Sequence, residues 1–149
     1  MSGPVYDPFA DAAQLGMIIV ERPLDGLLGE CDGVSEIVLH PEQSERQKLC
    51  SCAHEVVHAE RGDQPFPAGY PDADRRSILR ERYADEIAAR RLVGLRHLAA
   101  VLAWAPDEYA VADELGVDVP TIVARIESLT DAEKDYIECR LQAAQREIA

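Results

Sequence analysis

The order of apolar and polar residues predicts a short helix followed by three strands near the N-terminus. Residues 8–15 carry spaced apolar positions and precede Gly16, a residue that often follows the last turn of a helix. Three short apolar runs come next, bounded by Pro, Gly or Asp: residues 17–20, 27–31 and 34–40. Asp32 and Gly33 stand between the second and third runs and are typical of a hairpin turn. We therefore expect a small antiparallel three-stranded sheet.

The rest of the chain has the apolar spacing of helices. Single helices are predicted over residues 42–61, 74–92, 95–104 and 131–148, and two helices joined by a turn at Gly116 and Val117 are predicted within residues 108–129. Gly62 ends the first of them, and Thr130 with Glu133 forms a capping box before the last. The pattern indicates an α+β fold in which the sheet packs on the first long helix and the C-terminal half is mainly helical. We divide the chain into a core, residues 1–105, and a helical extension, residues 106–149, packed on the same domain.

The first long helix contains an HExxH sequence that begins at His54. A helix repeats every 3.6 residues, so His54 and His58 project from one face and both imidazoles can reach a single metal ion. Glu55 lies about 100° round from His54 and can address a water molecule on the metal as a general base. This is the arrangement that a zinc hydrolase requires. An isolated HExxH can also be two surface histidines beside a solvated carboxylate.

A third metal ligand is predicted on the second long helix. Glu81 and Asp85 are four residues apart and therefore share one face of that helix. Glu81 is the candidate ligand, and Asp85 is the candidate acceptor for the free N–H of a ligating histidine, which fixes its tautomer. Two histidines and a carboxylate suit zinc, and they also suit manganese or iron.

Cys50 falls on the same helical stripe as the two histidines but is not predicted to bind the metal. Positions 50, 54 and 58 span about 12 Å of helix, which is too long for three side chains to reach one tetrahedral ion. We expect Cys50 to pack against the core.

These residues resemble the ImmA/IrrE family of metallo-endopeptidases, in which HExxH is paired with a helix of the pattern ExxA(N/D)x(F)A. The pattern is carried here by Glu81, Ala84, Asp85 and Ala88. The ligand order is also similar to that of thermolysin-like gluzincins. Two departures are Ile87 in place of the usual Phe, and Val56-Val57 in place of a more common Leu-Gly. Neither departure removes a group with a chemical role.

The resemblance is strongest over residues 34–90 and carries expectations about function. It implies a zinc-dependent endopeptidase, encoded by a phage or another mobile element, that cleaves a helix-turn-helix transcriptional repressor and so relieves repression. In a gluzincin-like site an extended substrate can add to a sheet edge as another strand. The run 34–40 is a candidate for that edge, or is merely structural. His40 and Tyr83 are candidates for an oxyanion or substrate contact.

The net charge of −13 argues against nucleic acid as a direct ligand, because phosphate binding depends on Lys and Arg. It favours a protein partner with a basic surface, or serves solubility. Residues 111–126 have the pattern of a helix-turn-helix, yet the second helix offers only Arg125 among acidic neighbours. We interpret this segment as a structural two-helix unit or a protein-docking surface.

The sequence also predicts a cytoplasmic location. Its apolar runs are all shorter than the roughly 20 residues of a membrane span. The first residues lack the basic region and apolar core of a signal peptide. In a reducing compartment the four cysteines are expected to be free thiols.

Two other classes of function stay open from the sequence. The chain can be a non-proteolytic anti-repressor or interaction module in which the metal serves structure, and its effect would then not need Glu55. It can also be the toxin component of a toxin-antitoxin pair, with growth arrest that depends on Glu55.

Overall fold

The protein combines three strands near its N-terminus with helices from residue 45 onward. The structure is a computed structural model that describes residues 5–148. Its elements in chain order are α1 (Pro8–Gln14), β1 (Ile18–Glu21), β2 (Gly29–Cys31), β3 (Glu36–Leu39), α2 (Glu45–Arg61), α3 (Ala73–Leu92), α4 (Leu95–Leu102), α5 (Glu108–Leu115), α6 (Val119–Glu127) and α7 (Asp131–Ile148). The predicted α+β class, with a mainly helical C-terminal half, is confirmed.

The three strands form a mixed sheet in the order β1-β3-β2. The hairpin makes β2 antiparallel to β3, whereas β1 pairs with β3 in parallel, so the prediction of a wholly antiparallel sheet was wrong. After the hairpin β3 runs in the direction of β1 and lies between the other two strands. The central position goes to the most apolar strand, in which Ile37, Val38 and Leu39 are buried.

Asp32 and Gly33 form the hairpin turn, as the sequence predicts. Asp32 Oδ1 accepts three backbone N–H groups, those of residues 34, 35 and 36, at 2.8 to 3.0 Å. Gly33 has φ +75°, and a Cβ atom there would lie 2.4 Å from the carbonyl oxygen of Asp63. Glycine is therefore required on both counts, and the turn rests directly on the segment that follows α2.

Helix α2 begins at Glu45, three residues later than the sequence analysis placed it. Ser44 is the N-cap: its hydroxyl accepts the N–H of Gln47, and the Gln47 side chain accepts the N–H of Ser44. This capping box satisfies two N–H groups that the first turn leaves free, and so fixes the start of the helix. Gly62, with φ +65°, ends the helix as predicted.

Helix α2 lies between the sheet and α3, and each side of it buries a different set of residues. Cys52 and Val56 pack with Ile37 and Leu39 of the central strand. On the other side, small residues let α2 and α3 approach closely: Ala53, Val57, Ala84 and Ala88 form one buried cluster. The histidines of α2 are thereby held next to α3.

A third buried cluster joins the ends of α2 and α3 to the C-terminal helices. It includes Cys50, Val93, Leu98, Val111, Ile122 and Ile137. Arg125 is buried beside it, and its Nε donates to the carbonyl oxygen of Val93 at 2.8 Å. The capping box of Thr130 and Glu133 is present, as predicted. Within residues 5–148, none of the helices has the length and apolar character needed to cross a membrane.

Candidate metal centre

Three side chains of the kinds that can bind a metal ion converge where α2 faces α3. His54 and His58 lie one turn apart on α2, and their Nε2 atoms are 3.1 Å from each other. Glu81 reaches across from α3, with Oε2 2.8 Å from His54 Nε2 and Oε1 3.0 Å from His58 Nε2. One ligand atom from each of the three residues lies within 4.8 Å of the other two.

Each histidine is oriented by a carboxylate on its other ring nitrogen. His54 Nδ1 lies 2.7 Å from Asp85 Oδ1, and His58 Nδ1 lies 3.0 Å from Asp63 Oδ2. A carboxylate only accepts, so each Nδ1 carries the proton and each Nε2 directs a lone pair or a second proton towards Glu81. Asp85 was singled out from the sequence, but Asp63 was missed.

Asp63 comes to the site through the turn that ends α2. Gly62 adopts a left-handed conformation, and the N–H of Asp63 then donates to the carbonyl oxygen of His58 at 3.0 Å. The side chain is thereby folded back towards the last turn of the helix. The signal in the sequence is an acidic residue directly after the helix-ending glycine, five positions beyond a candidate ligand.

The donor set, which consists of His54, His58 and Glu81, fits a divalent cation such as zinc. Three contacts of 2.8, 3.0 and 3.1 Å link two imidazole nitrogens and two carboxylate oxygens, and such a group of acceptors is completed by a proton or a metal ion. Zinc bonds of about 2.0–2.1 Å at tetrahedral angles place neighbouring donors about 3.3 Å apart, close to the separations observed. His54, His58 and Glu81 therefore have the chemistry and the spacing of a zinc site.

A proton and a metal ion compete for the same atoms of His54. Burial lowers the pKa of His54, but its contacts with Asp85 and Glu81 raise that pKa to about 10. The contact with His54 in turn lowers the pKa of Glu81. The site therefore holds positive charge strongly, and a metal ion must replace that proton to bind.

Glu55 is buried beside the donor set without a partner of its own. Its relative exposure is 7%, and it makes no hydrogen bond or ion pair with the residues that the structure describes. Burial raises the pKa of this carboxyl, and the neighbouring imidazoles of His54 and His58 offset only part of that rise. A carboxylate that is buried and unpaired is available to exchange a proton with a molecule in the cleft.

Gly29 of β2 makes room for Glu55 and was not identified from the sequence. A Cβ atom at position 29 would lie 3.1 Å from Glu55 Cγ and 3.2 Å from Glu55 Oε1. A side chain at position 29 would push the carboxylate aside by a few tenths of an ångström. The signal in the sequence is a glycine inside an apolar run, which often marks a close backbone approach.

The donor set opens on a cleft made of two cavities, of about 350 Å³ and 270 Å³. Four residues line both cavities: Leu27, Gly29, Glu55 and Glu81. The larger cavity, which contains His54, extends to the first turn of α6. The smaller cavity, which contains His58, extends to the loop at residues 63–66. The cleft thus continues on both sides of the histidines.

The free edge of the sheet beside this cleft belongs to β2. The run 34–40 was one candidate for such an edge, the alternative being a structural strand, and β3 lies between two other strands so that its backbone groups are already paired. The carbonyl oxygen of Leu28 accepts the N–H of His40, and the N–H of Asp32 donates to the carbonyl oxygen of Glu36. By alternation, the backbone groups of Gly29 and Cys31 therefore point to the free side. Both of these residues line the smaller cavity.

The structure does not bring His40 or Tyr83 to the donor set. His40 Nδ1 accepts the N–H of Glu42 at 3.1 Å, and the side chain borders a separate depression. Tyr83 is two residues from Glu81, about 200° round the helix, and its ring stacks under the guanidinium group of Arg61 at 4.5 Å.

Cys50 packs in the C-terminal core, as predicted, and its thiol accepts the N–H of Asp118 at 3.5 Å. Burial raises the pKa of this thiol. Cys50 thus lines the larger cavity and contacts the N-terminus of α6, and it is not one of the metal donors.

Comparison of the chain with protein-family models, with curated proteins and with solved structures finds no match.

Proposed function

We propose that the protein is a zinc-dependent endopeptidase that cleaves a protein partner. The observation that carries this proposal is the joint placement of a metal donor set and an unpaired buried carboxylate in one cleft. His54, His58 and Glu81 are the donors, and Glu55 is the carboxylate. This combination of two histidines, a third ligand and an adjacent acid is the chemistry of metal-assisted hydrolysis.

His54, His58 and Glu81 would hold the ion through Nε2 atoms and carboxylate oxygens. When bound, zinc supplies Lewis acidity, which polarises a carbonyl group and makes water acidic enough to attack near neutral pH. Asp85 and Asp63 keep the two imidazoles in the tautomer that leaves Nε2 available.

Glu55 would take the proton from the attacking water and deliver it to the leaving amine. Its carboxylate is held by burial and by the close backbone of Gly29, so it needs no reorganisation before the proton transfer. Because none of the described residues pairs with it, nothing in that part of the chain must be displaced first.

The shape of the cleft favours a polypeptide substrate over a small molecule. The cleft extends to both sides of the donor set, and the free edge of β2 presents the backbone groups of Gly29 and Cys31. An extended peptide can pair with such an edge and so place a bond in the middle of its length near the donors. This arrangement supports a proposal of cleavage within a chain rather than at its end.

We take the partner to be a helix-turn-helix repressor, on the resemblance of the two motif helices to the ImmA/IrrE pattern. Cleavage of such a partner would relieve repression. The free thiols Cys31, Cys50, Cys52 and Cys139 suit a reducing cytoplasm, where repressors act.

The test is elemental analysis combined with a cleavage assay on the full chain. We expect about one zinc per chain in the wild type, and cleavage of a purified repressor encoded beside its gene. Glu55→Gln should retain zinc and lose at least about 100-fold in rate, because general base catalysis contributes about that much. Glu45→Gln, an exposed acid on the same helix, is the matched control and should retain both properties.

Three results would overturn this proposal. If the protein holds no zinc after the metal is supplied, the donor set does not bind zinc. If Glu55→Gln cleaves at the rate of the wild type, Glu55 is not the general base. Relief of repression by Glu55→Gln without cleavage would assign a stoichiometric, non-proteolytic mode of action instead.

A further inference from the structure

The larger cavity of the cleft is walled at its far end by the C-terminal helices. Asp118, Pro120, Thr121 and Ala124, all at the start of α6, line the cavity there. We propose that the cleft selects a basic segment of its substrate, and that a Lys or Arg side chain of this segment lies against Asp118. This inference rests on the proposed function, because it names the substrate class of the same site.

The cleft is lined mainly by acidic side chains. Six carboxylates line the two cavities: Glu30, Glu55, Asp63, Glu81, Asp85 and Asp118. Among the described residues, Arg80 is the single Lys or Arg that joins them, and it lies in the smaller cavity. A bound divalent cation therefore leaves the cleft with a net negative charge. Such a field attracts basic segments and repels acidic ones.

Glu55 indicates that this cavity accommodates a ligand and is more than an acidic surface. It is more than nine-tenths buried, lines both cavities and pairs with none of the described residues. A carboxylate that borders a cavity and pairs with none of the described residues is available to a molecule bound there. The cavity volume of about 350 Å³ lies within the range of about 300–1,000 Å³ that ligand sites occupy.

Asp118 has the chemistry to receive a cationic group. Its Oδ1 accepts both the N–H and the hydroxyl of Thr121, and the Cys50 thiol lies beside the same carboxylate. The N-terminus of a helix carries about half a positive charge, which a full carboxylate charge outweighs. Asp118 thus caps α6 through one oxygen and also lines the cavity.

The surroundings of Asp118 suit the long stem of a basic side chain. Leu27, Leu28, Ala88 and Pro120 give the same cavity apolar walls, against which methylene groups can lie while the charged end meets the carboxylate. Arg80 cannot take that place, because it is bound to the carbonyl oxygen of Gln64 at 2.7 Å in the other cavity. The C-terminal helices thereby contribute to the choice of substrate.

The test uses peptides of one length that carry Lys, Gln or Glu at each position in turn. Binding is measured by fluorescence anisotropy on the zinc-loaded full chain with Glu55→Gln, so that the readout does not depend on hydrolysis. We expect one position at which Lys is favoured over Glu by about tenfold or more, with the preference weakening as salt is raised.

Asp118→Asn separates charge from structure, since Asn is as good an N-cap as Asp. In this variant, combined with Glu55→Gln, the preference for Lys over Gln at that position should fall by about three- to fivefold, the size of a partly exposed ion pair. Asp107→Asn is the matched control: Asp107 caps α5 in the same way, outside the cleft, and should leave the preference unchanged.

The outcomes separate this inference from the proposed function. Peptide binding that ignores charge, that favours Glu, or that cannot be detected would overturn the inference, and so would an unchanged preference in Asp118→Asn. If the wild type then still cleaves its repressor, the proposed function stands alone. If basic peptides bind through Asp118 but the zinc-loaded wild type cleaves neither them nor the repressor, the inference stands and the endopeptidase proposal fails.

Discussion

Gly29 of β2 lies against the carboxyl group of Glu55, so close that a Cβ atom at position 29 would come 3.1 Å from Glu55 Cγ. Strand β2 and helix α2 therefore pack this closely because residue 29 has no side chain. The same strand offers the free edge of the sheet, which links substrate pairing to the position of the proposed general base.

Replacement of Gly29 by Ala should slow cleavage while leaving the metal in place. The added methyl group displaces the Glu55 carboxylate by a few tenths of an ångström, and proton transfer is sensitive to such shifts, so we expect a loss of about tenfold in kcat. Zinc content should match the wild type because Glu55 is not a donor. Rates and zinc content of the purified variant check this.

Gly94→Ala is the control for that substitution, since a Cβ atom there meets nothing closer than His97 Nδ1 at 4.0 Å. Full activity of Gly29→Ala would show that the contact with Glu55 has no bearing on the proton transfer.

Replacement of Asp63 by Asn should weaken metal binding. Asp63 accepts from His58 Nδ1 at 3.0 Å, and loss of such an orienting carboxylate typically weakens affinity by about 10–100-fold. Competition for zinc with a chromogenic chelator measures the change. Asp113→Asn is the control, because Asp113 is exposed and pairs with Arg46 away from the site. If Asp63→Asn binds zinc as tightly as the wild type, Asp63 does not orient His58 for metal binding.

The contribution of Glu133 to stability should fade in acid. Burial raises its pKa, but hydrogen bonds from Arg125 and Arg90, at 2.9 and 2.8 Å, lower that pKa to about 2. A lowered pKa in the folded state means that the stabilisation is complete above about pH 4.5, the ordinary value, and is lost as pH falls towards 2.

Glu133→Gln should accordingly lower the free energy of unfolding by about 1–3 kcal/mol at neutral pH, the worth of hydrogen bonds to a charged group. Urea unfolding of both proteins at a series of pH values should show this difference shrinking below about pH 4.5. Glu138→Gln, on the same helix and exposed, is the control. A difference that does not change with pH would contradict the ion pairing.

Features set by neighbouring residues could be predicted from the sequence. The left-handed conformation at Gly62, the turn at Asp32 and Gly33, and the capping box of Thr130 and Glu133 depend on contacts within a few residues. The start of α2, which lies three residues after the predicted one, is also set locally, by the capping box of Ser44 and Gln47.

The relative positions of helices and strands were decided only by the tertiary structure. A strand pattern specifies which residues are buried but not which strand is the neighbour, so the parallel pairing of β1 with β3 could not be read from it. The positions of His40 and Tyr83 depend on packing in the same way. Neither lies in the cleft. Tyr83 is only two residues from Glu81 in the sequence, and His40 directly follows β3.

By itself the sequence determined which side chains of the candidate metal centre stand one helical turn apart, because a helix fixes the spacing of its own side chains: His54 with His58, and Glu81 with Asp85. Only the tertiary structure decided what meets them. Asp63, Gly29 and Asp118 come from a turn, a strand and a distant helix. Their contacts depend on how α2 packs between the sheet and the helices, which no local pattern encodes.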